Sequence, residues 1–293
     1  MVSNTLRTLG AAAVIAAVSS CSATVDVSEF TFDTSPCGPR PPSCAGGGEQ
    51  RVYAIHWVDI PRRDAEGRRD GFDLDGTSAP ICGPIDFVAP DGRTGIDQQM
   101  AELLELLEDL GGTNTRDEAE RSAASGNAVA LVVISNVDDA ENDDCVEVTE
   151  RTAILPDGVT PEMLDVDHDG LLDRDVMFDF SSAHEHDPVA CIVDGTLHAR
   201  FPPTARASFV GMGSEVTVYR GRLRLSLDTE EGLLGGALRI DELTGLDETS
   251  LRVLRQAADL EPSARDADDC ASVSFALQMG VVPARLGSLR STP

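Results

Sequence analysis

The sequence predicts a mainly β domain, an antiparallel β-sandwich or jelly roll with two or three helical insertions. Short runs of β-branched or alternating apolar residues recur along the chain, and helical patterns are few. The two kinds of segment do not alternate regularly, as they would in a doubly wound parallel sheet. About 240 residues follow Arg51, a length that suits one large β domain, so we expect a single β-rich globular domain over 51–293.

Eight segments carry the strand pattern, namely 52–60, 128–135, 146–154, 176–180, 191–201, 215–227, 235–240 and 272–282. Gly221 interrupts one of them and predicts a bulge or a break, because glycine offers no side chain to pack. The polar residues 228–232 predict a hairpin turn between two of these strands.

Helical spacing appears in three places. Apolar side chains recur at helical intervals over 95–110, and Gly111 and Gly112 then provide a stop. Residues 247–260 repeat the pattern more weakly, and residues 115–125 predict a short polar helix. These segments are the expected helical insertions.

Residues 1–20 have the pattern of an export signal. Arg7 is their only charged residue, and an apolar run over 9–18 leads directly to Ser19, Ser20 and Cys21. Roughly ten apolar residues cannot cross a bilayer core of ~30 Å, which takes ~20 residues in a helix. The segment therefore predicts a cleaved signal peptide rather than a permanent membrane span.

The residues Val18, Ser19, Ser20 and Cys21 resemble the lipobox of bacterial lipoproteins. The resemblance covers only residues 1–21. It implies that the chain is cleaved before Cys21, that the Cys21 thiol is lipidated and that the new amino terminus is acylated with a fatty acid such as palmitate. Two or three acyl chains hold a protein lastingly on a membrane. Ser22 after the cysteine implies, by the same resemblance, sorting to the outer membrane of the cell envelope. The alternative is an ordinary secretory signal, with Cys21 free or in a disulfide.

Residues 21–50 predict a tether, because they are rich in proline and glycine and poor in apolar side chains. Lipidation of Cys21 leaves six cysteines, an even number that predicts up to three disulfides in an exported domain. Cys37 and Cys44 flank a short, stiff loop and form the pair we favour. The spacing leaves the remaining pairings open.

Acidic residues dominate the charge of the chain. It contains 51 acidic and 23 basic residues, with a formal net charge of −28. Such an excess disfavours binding to nucleic acid and offers many carboxylates to hard cations.

Residues 165–173 have the pattern of a calcium loop. Carboxylates occupy alternate positions and Gly170 permits a sharp turn, whereas Val176 stands where an EF-hand carries its bidentate glutamate. The nine residues resemble the Asp-x-Asp-x-Asp-Gly-x-x-Asp loops of integrin-type propellers, a resemblance that implies calcium binding and does not extend to the propeller fold. The implied ligands are the carboxylates of Asp165, Asp167, Asp169 and Asp173 and the carbonyl of Leu171. The alternative is a solvated acidic turn.

Three other constellations are weaker candidates for a metal site. One is formed by Asp70, Asp73 and Asp75, and another by the acidic run 138–144, although short acidic runs are usually solvated turns. The third contains histidines, of which His184 and His186 could share one face of an extended segment and bind zinc or iron. No known ligand spacing is present there, so we interpret this segment as an exposed polar loop. The histidines concerned are His168, His184, His186 and His198.

No motif identifies a catalytic reaction. The chain lacks a Gly-x-Ser-x-Gly motif, and its many acids do not reveal a catalytic pair. The leading interpretation is a membrane-anchored envelope lipoprotein whose calcium-stabilised extracytoplasmic domain has a binding or structural role, with a protein or glycan as partner. The alternative is a calcium-stabilised, secreted-type hydrolase acting on polysaccharide. Aromatic residues make up only 4% of the chain, which disfavours sugar stacking in either case.

Overall fold

Twelve strands and three α-helices form the regular structure of the described residues. The computed structural model describes residues 36–38, 47–77, 83–109, 114–126, 129–181, 189–201, 205–208, 215–243, 248–260 and 270–290, all within one compact unit, Phe32–Pro293. The strands are β1 (Glu49–Asp59), β2 (Phe87–Val88), β3 (Thr94–Ile96), β4 (Ala130–Val137), β5 (Asp143–Ile154), β6 (Val176–Phe180), β7 (Val189–Val193), β8 (Thr196–Arg200), β9 (Ala205–Ser208), β10 (Glu215–Ser226), β11 (Glu231–Arg239) and β12 (Ser272–Leu289). The helices are α1 (Gln99–Asp109), α2 (Thr115–Ala124) and α3 (Glu248–Gln256).

Eight of the strands close into one antiparallel, barrel-like sheet. Their order is β1, β4, β5, β7, β8, β10, β11 and β12, and β12 pairs again with β1. Closure depends on β12, whose 18 residues pair with β11 in their first half and with β1 in their middle. The mainly β class is confirmed. The strands form one closed sheet rather than two packed layers, so the sandwich or jelly roll is not confirmed.

The main core fills the interior of this sheet. Because side chains alternate between the faces of a strand, Tyr53 of β1 points to the interior cluster, and its neighbour Ala54 joins a second cluster on the outside. Every strand of the closed sheet contributes to the interior cluster, which includes Ile134, Ile192 and Leu225. The outer cluster includes Phe178 of β6, a strand that pairs parallel to the end of β12.

The helices pack on the outside of the closed sheet. Helices α1 and α3 cover a cluster that Val218, Val273 and Phe275 form on strands β10 and β12. Helix α2 lies beside β1, where the Arg116 guanidinium stacks 4.3 Å from the centre of the Trp57 ring. None of the helices in the described part of the chain is long and apolar enough to cross a membrane.

Most predicted elements are present, and the differences have local causes. The predicted strand 191–201 is two strands, β7 and β8, because Asp194 and Gly195 adopt positive φ angles of 48° and 69° and form a two-residue hairpin turn. The irregularity expected at Gly221 is confirmed, since the pairing of β10 with β11 shifts between Tyr219 and Arg222. Strands β2, β3 and β9 were not predicted, because each has at most four residues.

The disulfide favoured from the sequence is wrong. Cys37 is bonded to Cys191 on β7, across a separation of 154 residues. The partner of Cys37 is therefore determined by the fold and not by spacing along the sequence. Cys145 and Cys270 are also disulfide-bonded. Cys37 falls within the predicted tether 21–50, yet it is buried and is therefore fixed to the sheet. Cys21, Cys44 and Cys82 lie outside the described residues.

Candidate functional site

The predicted calcium loop is anchored at both ends by buried leucines. It follows a 3-10 turn, Pro161–Met163, and precedes β6. Leu164 and Leu172 are buried in the outer apolar cluster, and the Asp173 amide donates to the Leu164 carbonyl at 2.7 Å. The loop is thus closed at its base, while the residues between the two leucines are mostly exposed.

Three aspartates converge in this loop. Asp165, Asp167 and Asp169 each place one carboxylate oxygen within 4.8 Å of the others. His168 and Gly170 adopt positive φ angles of 61° and 86°, which turns the backbone so that the alternate side chains meet. The Gly170 amide donates to Asp165 Oδ2 at 3.0 Å, whereas Asp165 Oδ1 is buried and has no hydrogen-bond partner. The three carboxylates together could hold a metal ion.

The other two predicted ligands have different surroundings. Asp173 Oδ2 accepts a hydrogen bond of 2.6 Å from the Val166 amide. This side chain therefore links the end of the loop to its beginning. The Leu171 amide donates to Asp169 Oδ1 at 2.8 Å. The structure therefore gathers three of the five predicted ligands into one carboxylate group.

A second acidic group combines Asp73 and Asp75 with Asp97, a residue that sequence reasoning missed. One carboxylate oxygen from each lies within 4.8 Å of the others. An isolated β-bridge pairs Phe72 with Asp97 just after β3 and brings the two segments together. The Leu74 amide, between the first two aspartates, donates to Asp97 Oδ2 at 2.6 Å.

Burial dominates the electrostatics of this second group. Asp97 is only 1% exposed, and its Oδ1 has no hydrogen-bond partner. Burial raises the pKa of the Asp97 carboxyl to about 9. The hydrogen bond from the Leu74 amide lowers this pKa, and the nearby charge of Asp75 raises it. Burial and the charges of Asp75 and Asp73 raise the pKa of Asp86 to about 6, and Asp86 Oδ2 is also buried without a partner.

The predicted grouping of Asp70 with Asp73 and Asp75 is only partly present. Asp70 Oδ2 instead accepts a hydrogen bond of 2.7 Å from Arg224, and its Oδ1 lies 3.4 Å from an Arg93 nitrogen. Asp97 takes the place expected for Asp70. The sequence gives no signal for this exchange, because Asp97 is more than twenty residues away along the chain.

The remaining candidates form no metal group among the described residues. In the run 138–144, the Asp143 carboxylate accepts the amides of Asp138 and Cys145 at 2.7 and 3.0 Å and stabilises the turn between β4 and β5. His184 and His186 lie outside the described residues. His168 is exposed in the 165–173 loop, and neither of the two acidic groups includes a histidine.

A cleft of about 380 Å³ gathers positive charge on one side of the closed sheet. Arg93, Arg222, Arg224 and His198 line it beside the apolar side chains of Phe72, Ile96 and Leu223. Burial lowers the pKa of His198, and the charges of Arg224 and Arg93 lower it further. Sequence reasoning missed this cleft, because its basic residues come from three separate segments. Asp73 is the one acid among the described residues that line it.

No protein-family model, curated protein or solved structure matches the chain. The features of the chain that could carry chemistry are two aspartate groups that could hold metal ions and an arginine-lined cleft.

Proposed function

We propose that this protein is a lipoprotein of the cell envelope, anchored in the outer membrane through acylated Cys21. Its extracytoplasmic domain is stabilised by calcium and has a binding role. The signal pattern and lipobox of residues 1–21 support export and anchoring. The Cys37–Cys191 disulfide fits an oxidising compartment outside the cytoplasm.

The observation that carries the calcium proposal is the convergence of Asp165, Asp167 and Asp169. Three carboxylates within 4.8 Å repel one another until a cation neutralises them, and the buried Asp165 Oδ1 lacks a donor from the protein. The side chains offer only oxygen ligands, which suit calcium or magnesium rather than zinc or copper. Calcium is favoured, because it accepts the irregular oxygen shells of flexible loops and loses its water more readily than magnesium.

The arginine-lined cleft supports a binding role for an anionic ligand, which would compete with Asp70 for Arg93 and Arg224. Guanidinium groups bind carboxylates and phosphates, and Arg93, Arg222 and Arg224 face the same space in a chain of net charge −28. Glycoside hydrolysis usually needs two carboxylates, and Asp73 alone lines the cleft among the described residues. Retention on immobilised polygalacturonate without release of reducing sugar would support binding, whereas turnover would support the polysaccharide hydrolase.

The calcium proposal is tested by the melting temperature of metal-stripped protein. Extracellular calcium modules bind with dissociation constants of ~10⁻⁴ to 10⁻³ M, so 1 mM calcium should add about 0.4 to 1.4 kcal/mol to the free energy of unfolding. At ~2 to 4 °C per kcal/mol, the melting temperature should rise by ~1 to 6 °C, and magnesium should raise it less. The double variant Asp167→Ala, Asp169→Ala should lose most of the increment due to this loop.

A matched control removes two exposed aspartates from the acidic run 138–144, which spans the turn before β5 and its first residues and forms no metal group. Asp138 and Asp144 are both exposed, so the double variant Asp138→Ala, Asp144→Ala changes the net charge equally. It should keep the full calcium response. An equal calcium response in the parent and in the Asp167→Ala, Asp169→Ala variant would contradict calcium binding at this loop.

A further inference from the structure

The group formed by half-buried Asp73 and Asp75 and buried Asp97 is distinct from the exposed calcium loop. Asp73 and Asp75 belong to the turn that follows Phe72, and Asp97 follows β3. None of these residues takes part in the 165–173 loop.

The hydrogen bonds of the turn hold two of the carboxylates in place. The Gly76 amide donates to Asp73 Oδ1 at 2.6 Å, and the Thr77 amide and hydroxyl both donate to Asp75 Oδ1 at 2.9 Å. Each aspartate is thus fixed by one of its oxygens. The positions of the carboxylates are set before any ligand binds.

Asp97 provides an independent indication of a missing partner at this group. Its side chain is 1% exposed, its Oδ1 accepts no hydrogen bond, and no described basic side chain forms an ion pair with it. Asp86 Oδ2 is likewise buried without a hydrogen-bond partner. Buried carboxylate oxygens are normally satisfied by donors or by cations, because burial without either destabilises the fold.

We propose that Asp73, Asp75 and Asp97 bind a second divalent cation. The donors are carboxylates only, so the ion is a hard, oxygen-preferring cation of the calcium class. This inference goes beyond the proposed function, because it concerns a separate site and does not depend on the 165–173 loop.

The site gives the cation a structural position beside the cleft. An ion bound to all three aspartates ties the turn after Phe72 to the end of β3. Phe72 and Asp73 also line the arginine-lined cleft, so the ion fixes one wall of it. Its positive charge lies on the side where an anionic ligand would bind.

The test counts calcium ions bound to the purified full chain, after removal of metal with a chelator, by equilibrium dialysis and native mass spectrometry. The parent should bind two ions, and Asp97→Asn should bind one. Asparagine has nearly the same shape and its amide oxygen can still accept from Leu74, so the turn should persist. Asp75→Asn, a change at a less buried position, should also lose the second ion or weaken its binding at least tenfold.

The control Asp70→Asn removes one charge from the same segment at a residue outside the group. It should bind two ions, like the parent. Two ions in both Asp97→Asn and Asp75→Asn would overturn the second site. A single ion in the parent that only Asp167→Ala, Asp169→Ala removes would overturn it too and leave the calcium loop standing. A single ion that only Asp97→Asn removes would support the second site and contradict the loop.

Discussion

Removal of the Cys37–Cys191 disulfide should destabilise the domain by several kcal/mol. The bond spans 154 residues, and the chain-entropy relation gives ~5 kcal/mol at 25 °C for a loop of this length. Cys145 and Cys270 are also bonded, and further crosslinks already restrict the unfolded chain, so we expect about 3 to 5 kcal/mol. At ~2 to 4 °C per kcal/mol, Cys37→Ala with Cys191→Ala should lower the melting temperature by ~6 to 20 °C.

Single variants separate loss of the bond from loss of packing. Either Cys37→Ala or Cys191→Ala breaks the same bond, so each should cost nearly as much as the double variant, with the loss far from additive. Both side chains are buried, and simple loss of packing would instead add across the two sites. The assay is thermal unfolding followed by circular dichroism under oxidising conditions. Additive losses, or a double variant that melts within ~1 °C of the parent, would refute the reasoning.

Two further predictions concern the anchor and a buried acid. Cys21→Ala should release the protein from membranes, and its retention in the pellet after a carbonate wash would contradict lipid anchoring. Burial raises the pKa of Asp259 to about 7. The folded state therefore keeps a proton that the unfolded chain releases near pH 4. The contribution of Asp259 to the free energy of unfolding falls as the pH rises from 4 to 7. Asp259→Asn should make the fall in melting temperature over that range less steep, while the contributions of Asp97 and Asp86 remain, and an unchanged slope would contradict this assignment.

Strand positions could be predicted from the sequence, but closure of the sheet could not. Strand β6 lies where the β-branched and aromatic pattern places it, because one face of each strand must bury apolar side chains. Closure requires β12 to pair with both β11 and β1. These pairings join residues far apart in the chain, and local periodicity carries no information about them. The same reason explains the wrong pairing of Cys37 with Cys44.

The candidate sites follow the same division between local and distant residues. The 165–173 loop could be predicted, because its converging aspartates lie within five residues of one another. Asp97 joins Asp73 and Asp75 only through a bridge between separate segments. The cleft arginines likewise meet because β10 lies near the loop between β2 and β3. No spacing rule could have found either group.

The distribution of arginines indicates why cations should matter to this acidic chain. Many described arginines already neutralise particular acids: buried Arg69, for example, contacts Glu102 and Glu105 of α1 at 2.8 and 2.6 Å. Those pairs fix the helix and leave few basic side chains for other carboxylates. Asp97 and the 165–173 loop are without such ion pairs among the described residues. A soluble ion is then the available source of positive charge, and the buried Asp97 group should depend on it more strongly than the exposed loop does.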